Sequence, residues 1–291
     1  ISKTPVKQNV EPFYKKTKLV QEKLNAIIKK GVNASMLCLY AIDQIKFFET
    51  YVLGLKEENI EEIIASSTIG NIVHDCLELI YKDYVGKKLK IEDLENMKKR
   101  INATVGDVIK TYVRVENIYK GKNIIILETV KKYIKRAIEV DYQTLKNKNK
   151  LRIVAVEKEF ESEITDGDKK FKIRGKIDRL DELNGEIRII DYKTGKKLNK
   201  RNLVINNFEE IVKEKGIYNL QLLIYMLGIE KEYKGLTIKS GIINLKNISS
   251  GVLEGIFRGK NSLTRNEMQD YKTKIILLIN RILDEKTMFK N

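Results

Sequence analysis

Two periods of apolar residues organise the chain, a helical one through its first half and a two-residue alternation through its middle. Ile69, Ile72, Val73, Cys76, Leu77 and Ile80 recur at helical spacing and predict a helix over 68–84, with His74 beside the apolar stripe. Ser35 is placed to cap a helix that runs through Leu39, Tyr40, Phe47, Phe48 and Tyr51 and stops near Gly54. Residues 1–34 are Lys-rich, hold both prolines, Pro5 and Pro12, and read as an incoming linker that becomes a peripheral helix over 20–30. Residues 87–150 mix Lys, Glu and apolar positions without tight-turn chemistry, and read as a helical insertion within one domain over 35–291.

The period changes at Arg152. Segments 152–164, 171–183 and 186–192 have strand character, and Thr165-Asp166-Gly167-Asp168 and Asn184-Gly185 supply turns between them, predicting three consecutive antiparallel strands. A Lys-rich loop after Gly195 leads to a helix over 218–227, a strand over 236–245 and a last helix over 264–284. The expected fold class is α/β, a mixed central β-sheet flanked by helices with an additional helical lobe.

Asn-Gly between two apolar runs is a strong hairpin signal, and a two-residue loop pairs residues whose numbers sum as 184 and 185 do. Asp178 then faces Asp191 across the hairpin, with β-carbons roughly 4.5 to 5.5 Å apart. Leu180, Ile187 and Ile189 share that face, so the two carboxylates meet at the end of an apolar surface and need a cation between them. Magnesium or manganese suits oxygen ligands at this separation. Lys193, two residues beyond Asp191, points to the same face, where it can orient an attacking water or stabilise charge developing on phosphorus. Short Asp-x-Lys strings are common on surface hairpins; register and a half-buried face set this one apart from a chance pair.

Charge suggests the partner. Against 40 Asp and Glu stand 56 Lys and Arg, a formal +16 that favours a polyanion such as DNA over an acidic protein or a neutral metabolite. No apolar run reaches the roughly 18 residues of a membrane span, and no secretory signal opens the chain, so an intracellular protein is expected. Cys38 and Cys76 form no C-x-x-C pair, which leaves no disulfide framework and no local zinc site. The chain opens on Ile1 rather than Met, as an excerpt or a processed chain does.

Four motifs, in order, resemble the RecB-like branch of the PD-(D/E)XK nuclease superfamily, particularly the C-terminal nuclease domain of AddB-type proteins. Gly70-Asn71-Ile72-Val73-His74 resembles its G-x-x-x-H helix, and Gly175-Lys176-Ile177-Asp178-Arg179-Leu180-Asp181 its G-x-I-D-R-x-D strand. Ile190-Asp191-Tyr192-Lys193-Thr194-Gly195-Lys196 resembles D-Y-K-T-G-K, and Gln221-Leu222-Leu223-Ile224-Tyr225 resembles Q-x-x-x-Y. The resemblance implies a restriction-endonuclease-like core in which His74, Asp178, Asp191 and the Tyr192 backbone carbonyl bind Mg2+ or Mn2+ and Lys193 is catalytic. Glu157 resembles the acid of the first core strand, able to bind a second metal or a water. Gln221 and Tyr225 would contact DNA or brace the site, with Arg179 and Lys196 counted beside them as substrate-binding candidates.

The chain also departs from the family. Ile177 stands where the wider superfamily has a proline, as the RecB-like branch tolerates. In Tyr40-Ala41-Ile42-Asp43-Gln44-Ile45-Lys46-Phe47-Phe48, which resembles Y-x-x-C-P-x-K-F-F, Asp43 and Gln44 replace Cys-Pro. Many relatives use that cysteine with three near the C-terminus to hold an iron–sulfur cluster, and residues 226–291 contain none, so no cluster is expected here.

These readings converge on a metal-dependent DNA exonuclease of a double-strand-break repair helicase–nuclease, cytoplasmic and associated with the bacterial nucleoid. No G-x-x-x-x-G-K-[ST] phosphate loop occurs, so an ATP-driven motor is expected in another segment or subunit. The alternatives are a stand-alone nuclease of the CRISPR-associated type and a catalytically inactive DNA-binding module. A binding module has no reason to keep two opposed carboxylates.

Overall fold

The alternating stretch forms three antiparallel strands, β1 (Leu151–Asp166), β2 (Lys169–Leu183) and β3 (Glu186–Lys193). The computed structural model of the chain describes residues 13–55, 66–112, 118–247 and 250–290; the first part of the expected linker, 1–12, lies outside them. Asn184 and Gly185 both take positive φ, 55° and 94°, the type I′ geometry that matches strand twist. From Leu183 opposite Glu186 through Arg179 opposite Ile190, the ladder keeps the expected register.

Two further strands, β4 (Ile238–Asn244) and β5 (Val252–Glu254), complete a five-stranded mixed sheet of order β1-β2-β3-β4-β5. Within this sheet, among the described residues, β3 and β4 are the pair that runs parallel, because the chain between them crosses over through a helix.

Helices cover both faces, as expected of an α/β fold. On one, Leu180, Ile187, Ile189 and Ile242 pack with residues of α1 (Lys18–Lys30), α2 (Ala34–Ile42), α6 (Ile217–Ile229) and α7 (Arg265–Leu283). On the other, Ile153, Ile190, Tyr192 and Ile243 pack with α3 (Ser66–Tyr81), α4 (Ile91–Val108) and α5 (Lys122–Lys146). Each fully buried Ile or Leu in these layers contributes about 1.5–3 kcal/mol of transfer free energy.

Local chemistry shifts some boundaries. Asn33, not Ser35, caps α2 by accepting the Met36 N–H. The single helix expected to Gly54 is broken at Asp43, whose carboxylate caps the short helix Gln44–Phe47 before a π-helical turn, Phe48–Leu53, ends at Gly54 with φ 73°. The N-terminal stretch expected at the periphery enters the core: Leu24 and Ile28 are buried, and Tyr14–Lys15 pairs with Met288–Phe289. Among the described residues, no helix is long and apolar enough to cross a membrane.

Candidate metal centre and active site

The site forms where β2 and β3 leave their ladder. Beyond the last pair, Arg179 with Ile190, Asp178 finds no strand partner; its Oδ2 accepts the backbone N–H of Tyr192 at 2.7 Å. Towards β1 the register pairs Val156 with Arg179 and Lys158 with Ile177, passing over Glu157 and Asp178. Glu157 sits at φ 46°, a left-handed conformation uncommon outside glycine, asparagine and aspartate. Both strands reverse their alternation here, since Ile173 and Ile177 face the same core layer as Leu180. This double kink places Glu157 and Asp178 together, whereas Asp191 follows Ile187 and Ile189 by simple alternation.

Helix α3 supplies the histidine. Its apolar stripe, Ile72, Val73, Cys76 and Leu77, is buried in the second core layer and fixes the helix rotation. Gly70 lets the helix approach β3, since a Cβ there would lie 3.2 Å from Thr194 Oγ1. His74 Nδ1 lies 3.3 Å from Asp178 Oδ1, and its Nε2 lies 3.1 Å from the Tyr192 carbonyl oxygen. His74, Glu157 and Asp178 each offer a ligand atom within 4.8 Å of the others, a candidate metal site.

Asp191, expected to join that set, is turned to Lys193. The Lys193 Nζ lies 2.8 Å from Oδ2 and donates to Oδ1 at 3.1 Å. Even so, Oδ2 is buried without a hydrogen bond of acceptable geometry. An imidazole and two carboxylates converging within 4.8 Å, with a peptide carbonyl 3.1 Å from that imidazole and a further buried carboxylate on the same hairpin, form a donor set that fits a divalent cation. In PD-(D/E)XK nucleases generally, divalent metal ions are used.

Electrostatics show the same demand for positive charge. Burial works to lower the pKa of His74, but the hydrogen bond and charge of Asp178, with the charges of Asp191 and Glu157, carry it up to about 9. The imidazolium thus supplies a positive charge among the carboxylates. Burial pushes the Asp191 carboxyl up to about 6, with Lys193 opposing and Asp178 reinforcing the shift. Burial likewise raises Glu157, against its ion pair with Lys176. For Lys193, burial favours the neutral amine, but Asp191 outweighs it and raises the pKa, so the side chain remains a cation.

The expected substrate-binding residues separate. Gln221 Nε2 donates to the Tyr225 hydroxyl at 2.7 Å, and Tyr225 is buried edge-on against Phe160. Gln221 and Lys193 also line a cleft of about 340 Å³ between α2 and α6, together with Cys38, Leu39, Ile42 and Tyr218. Lys196 lies exposed on the loop after β3, paired with Glu214 at 3.3 Å. Arg179 cannot be a substrate contact: it is 0% exposed, and its guanidinium is bonded to Asp141, Asp181 and Tyr192. Burial on the helical face of the sheet, beneath α5, overrides its position next to Asp178.

Three residues were missed from sequence. Tyr218 and Cys38 come to the cleft from distant helices, with no local signal. Asp141, however, follows Ile134, Ala137 and Ile138 at helical spacing, an acid on an apolar stripe that already asks for a buried cation.

The chain belongs to the PD-(D/E)XK nuclease superfamily, whose family model matches residues 32–291, and it is by that membership a nuclease-type hydrolase. It is 31% identical over 197 residues to the RecBCD enzyme subunit RecB of Borreliella burgdorferi, covering 60% of this chain and 16% of that protein, which supports the RecB-like branch. Two solved structures are similar at lower level. The crystal structure of SSO0001 has TM-score 0.27 and 16% identity, covering 86% of this chain and 84% of that one. The VC1899 protein of Vibrio cholerae has TM-score 0.21 and 10% identity, covering 93% of this chain and 59% of that one.

Proposed function

We propose that this chain hydrolyses DNA phosphodiester bonds as an exonuclease, using Mg2+ or Mn2+ held by Asp178, Asp191, His74 and the Tyr192 carbonyl, with Glu157 beside them. The observation that carries the proposal is the convergence of His74, Glu157 and Asp178 on the hairpin that also holds the Lys193–Asp191 pair. Bound there, a divalent cation would lower the pKa of water and neutralise charge on the phosphate. Lys193 holds a proton at Nζ and would donate a hydrogen bond to the negative charge developing on the phosphoryl oxygens; Asp191 keeps the ammonium in place. Tyr218 and Gln221 line the approach to Lys193, and the +16 charge draws the strand by phosphate contacts without reading sequence.

Similarity to a subunit of the RecBCD enzyme supports work within a larger helicase–nuclease of double-strand-break repair, for which we propose a cytoplasmic, nucleoid-associated location. The test is cleavage of linear and circular DNA, single-stranded and duplex, in magnesium, manganese or EDTA. Metal-dependent loss of linear DNA, abolished by Asp178→Ala and Lys193→Ala, is expected. DNA binding without cleavage under any metal condition would instead make the chain a binding module.

A further inference from the structure

Arg179 follows Asp178 directly but points away from it, into the interior. All five guanidinium N–H groups are engaged. Nε and Nη2 donate to Asp181 Oδ2 at 2.9 and 2.7 Å, while Nη1 and Nη2 donate to Asp141 Oδ2 and Oδ1 at 2.8 and 2.9 Å. The fifth bond runs from Nη1 to the Tyr192 hydroxyl at 3.1 Å. Asp141 also accepts the Tyr81 hydroxyl at 2.6 Å, and Asp181 accepts Arg188 Nε at 2.9 Å. Two arginines and two aspartates therefore sit in the second core layer with their charges balanced.

Stability alone is a poor reason for such a cluster, because a packed apolar group of similar volume is often as stable or more so. Of the two tyrosines that the cluster holds, Tyr81 and Tyr192, the second reaches the site. That residue's phenol is fixed by Arg179, its N–H donates to Asp178, and its carbonyl meets His74. The residue whose backbone N–H and carbonyl touch two candidate metal ligands is thus clamped at its side chain from behind the sheet.

We propose that Arg179 and Asp141 are positioning residues for the metal centre, acting through the Tyr192 phenol. Asp141 belongs to α5, so the helical insertion takes part in setting metal affinity although it contributes no ligand. The inference rests on the metal reading given under Proposed function. Fixing a carbonyl and an N–H in this way is what supporting groups do for metal ligands, and their loss typically weakens affinity about 10- to 100-fold.

The experiment is Mn2+ binding to the full chain, followed by the electron paramagnetic resonance of free Mn2+, with thermal melting in EDTA measured in parallel. Wild type, Asp178→Ala, Tyr192→Phe, Arg179→Lys and Asp141→Asn are compared. Tyr192→Phe keeps the ring and removes only the hydroxyl, so its folding is the least at risk. Binding by wild type, lost in Asp178→Ala and weakened about tenfold or more in Tyr192→Phe and Arg179→Lys, is expected. Cleavage by these two variants should recover at saturating Mn2+. If Asp178→Ala abolishes binding but Tyr192→Phe melts lower with wild-type Mn2+ affinity, the cluster is purely structural and the proposal falls. If wild type binds no Mn2+, the metal reading itself fails and takes this inference with it.

Discussion

His74 Nδ1 stands 3.3 Å from Asp178 Oδ1, close enough that the imidazole shares the carboxylate's charge and holds its proton up to about 9. A metal ligand must be neutral at the ligating nitrogen, so cation and proton compete for the same ring.

The first prediction follows from that competition. Between pH 6.5 and 9, Mn2+ affinity should rise by up to about tenfold per pH unit as one proton is displaced, then level off. Stability of the metal-free protein should run the other way. A histidine whose folded pKa lies above its unfolded value stabilises fully below about 6.5 and loses that contribution as pH rises through about 9. Melting in EDTA across this window checks the sign. A metal affinity independent of pH, or unchanged in slope by His74→Gln, would refute the ligand role.

A second prediction concerns Lys193, the cation that opposes protonation of Asp191. Lys193→Met should lower kcat by roughly 10²–10³ with KM little changed, the size expected for removing a group that stabilises developing charge. In the metal-free protein the same change should move the titration of Asp191 upward from about 6, because Asp191 would lose the charge that lowers its pKa. Carboxyl titration by NMR in EDTA reads the shift, and an unchanged Asp191 titration in Lys193→Met would show that Lys193 does not hold that carboxylate ionised.

Much of this site was legible in sequence because it is local to one hairpin. Asn184-Gly185 fixed the turn, the turn fixed the register, and the register brought Asp178 and Asp191 to the end of the same ladder. What escaped was the kink. The reversal at Glu157 and Asp178 depends on the two strands distorting together, and neither residue is a glycine or proline that would mark the place. Arg179 was misread for a similar reason. Its neighbour in sequence is Asp178, but its partner, Asp141, comes from a helix outside the sheet.

The third prediction uses that kink. Glu157 holds φ 46°, where a side chain is strained and glycine is not. Glu157→Gly should therefore stabilise the metal-free protein by about 1 kcal/mol, helped by relief of carboxylate crowding around Asp178. The same change should weaken Mn2+ binding. Urea unfolding in EDTA and a metal titration read the two effects separately; loss of both stability and affinity would mean that the Lys176 pair, not strain, dominates at this position.

The last prediction concerns the helix that carries Gln221 and Tyr225. Gly228 near the end of α6 lies against the ring of Phe160 on β1, and a Cβ at Gly228 would sit 2.3 Å from it. Helix propensity alone would favour Gly228→Ala by about 0.8–1.0 kcal/mol. The contact reverses that sign, because Phe160 is packed edge-on against Tyr225 and has little room to turn. Overpacking of this kind costs typically 1–3 kcal/mol, so a net loss of stability is expected, with reduced cleavage as Tyr225 and Gln221 shift relative to Lys193. Phe160→Leu should rescue Gly228→Ala, although alone it leaves space beside Tyr225 and destabilises. A double-mutant cycle with strong favourable coupling would confirm that the close approach of α6 to the sheet sets the position of Gln221 and Tyr225; additive losses would show that helix and sheet adjust independently.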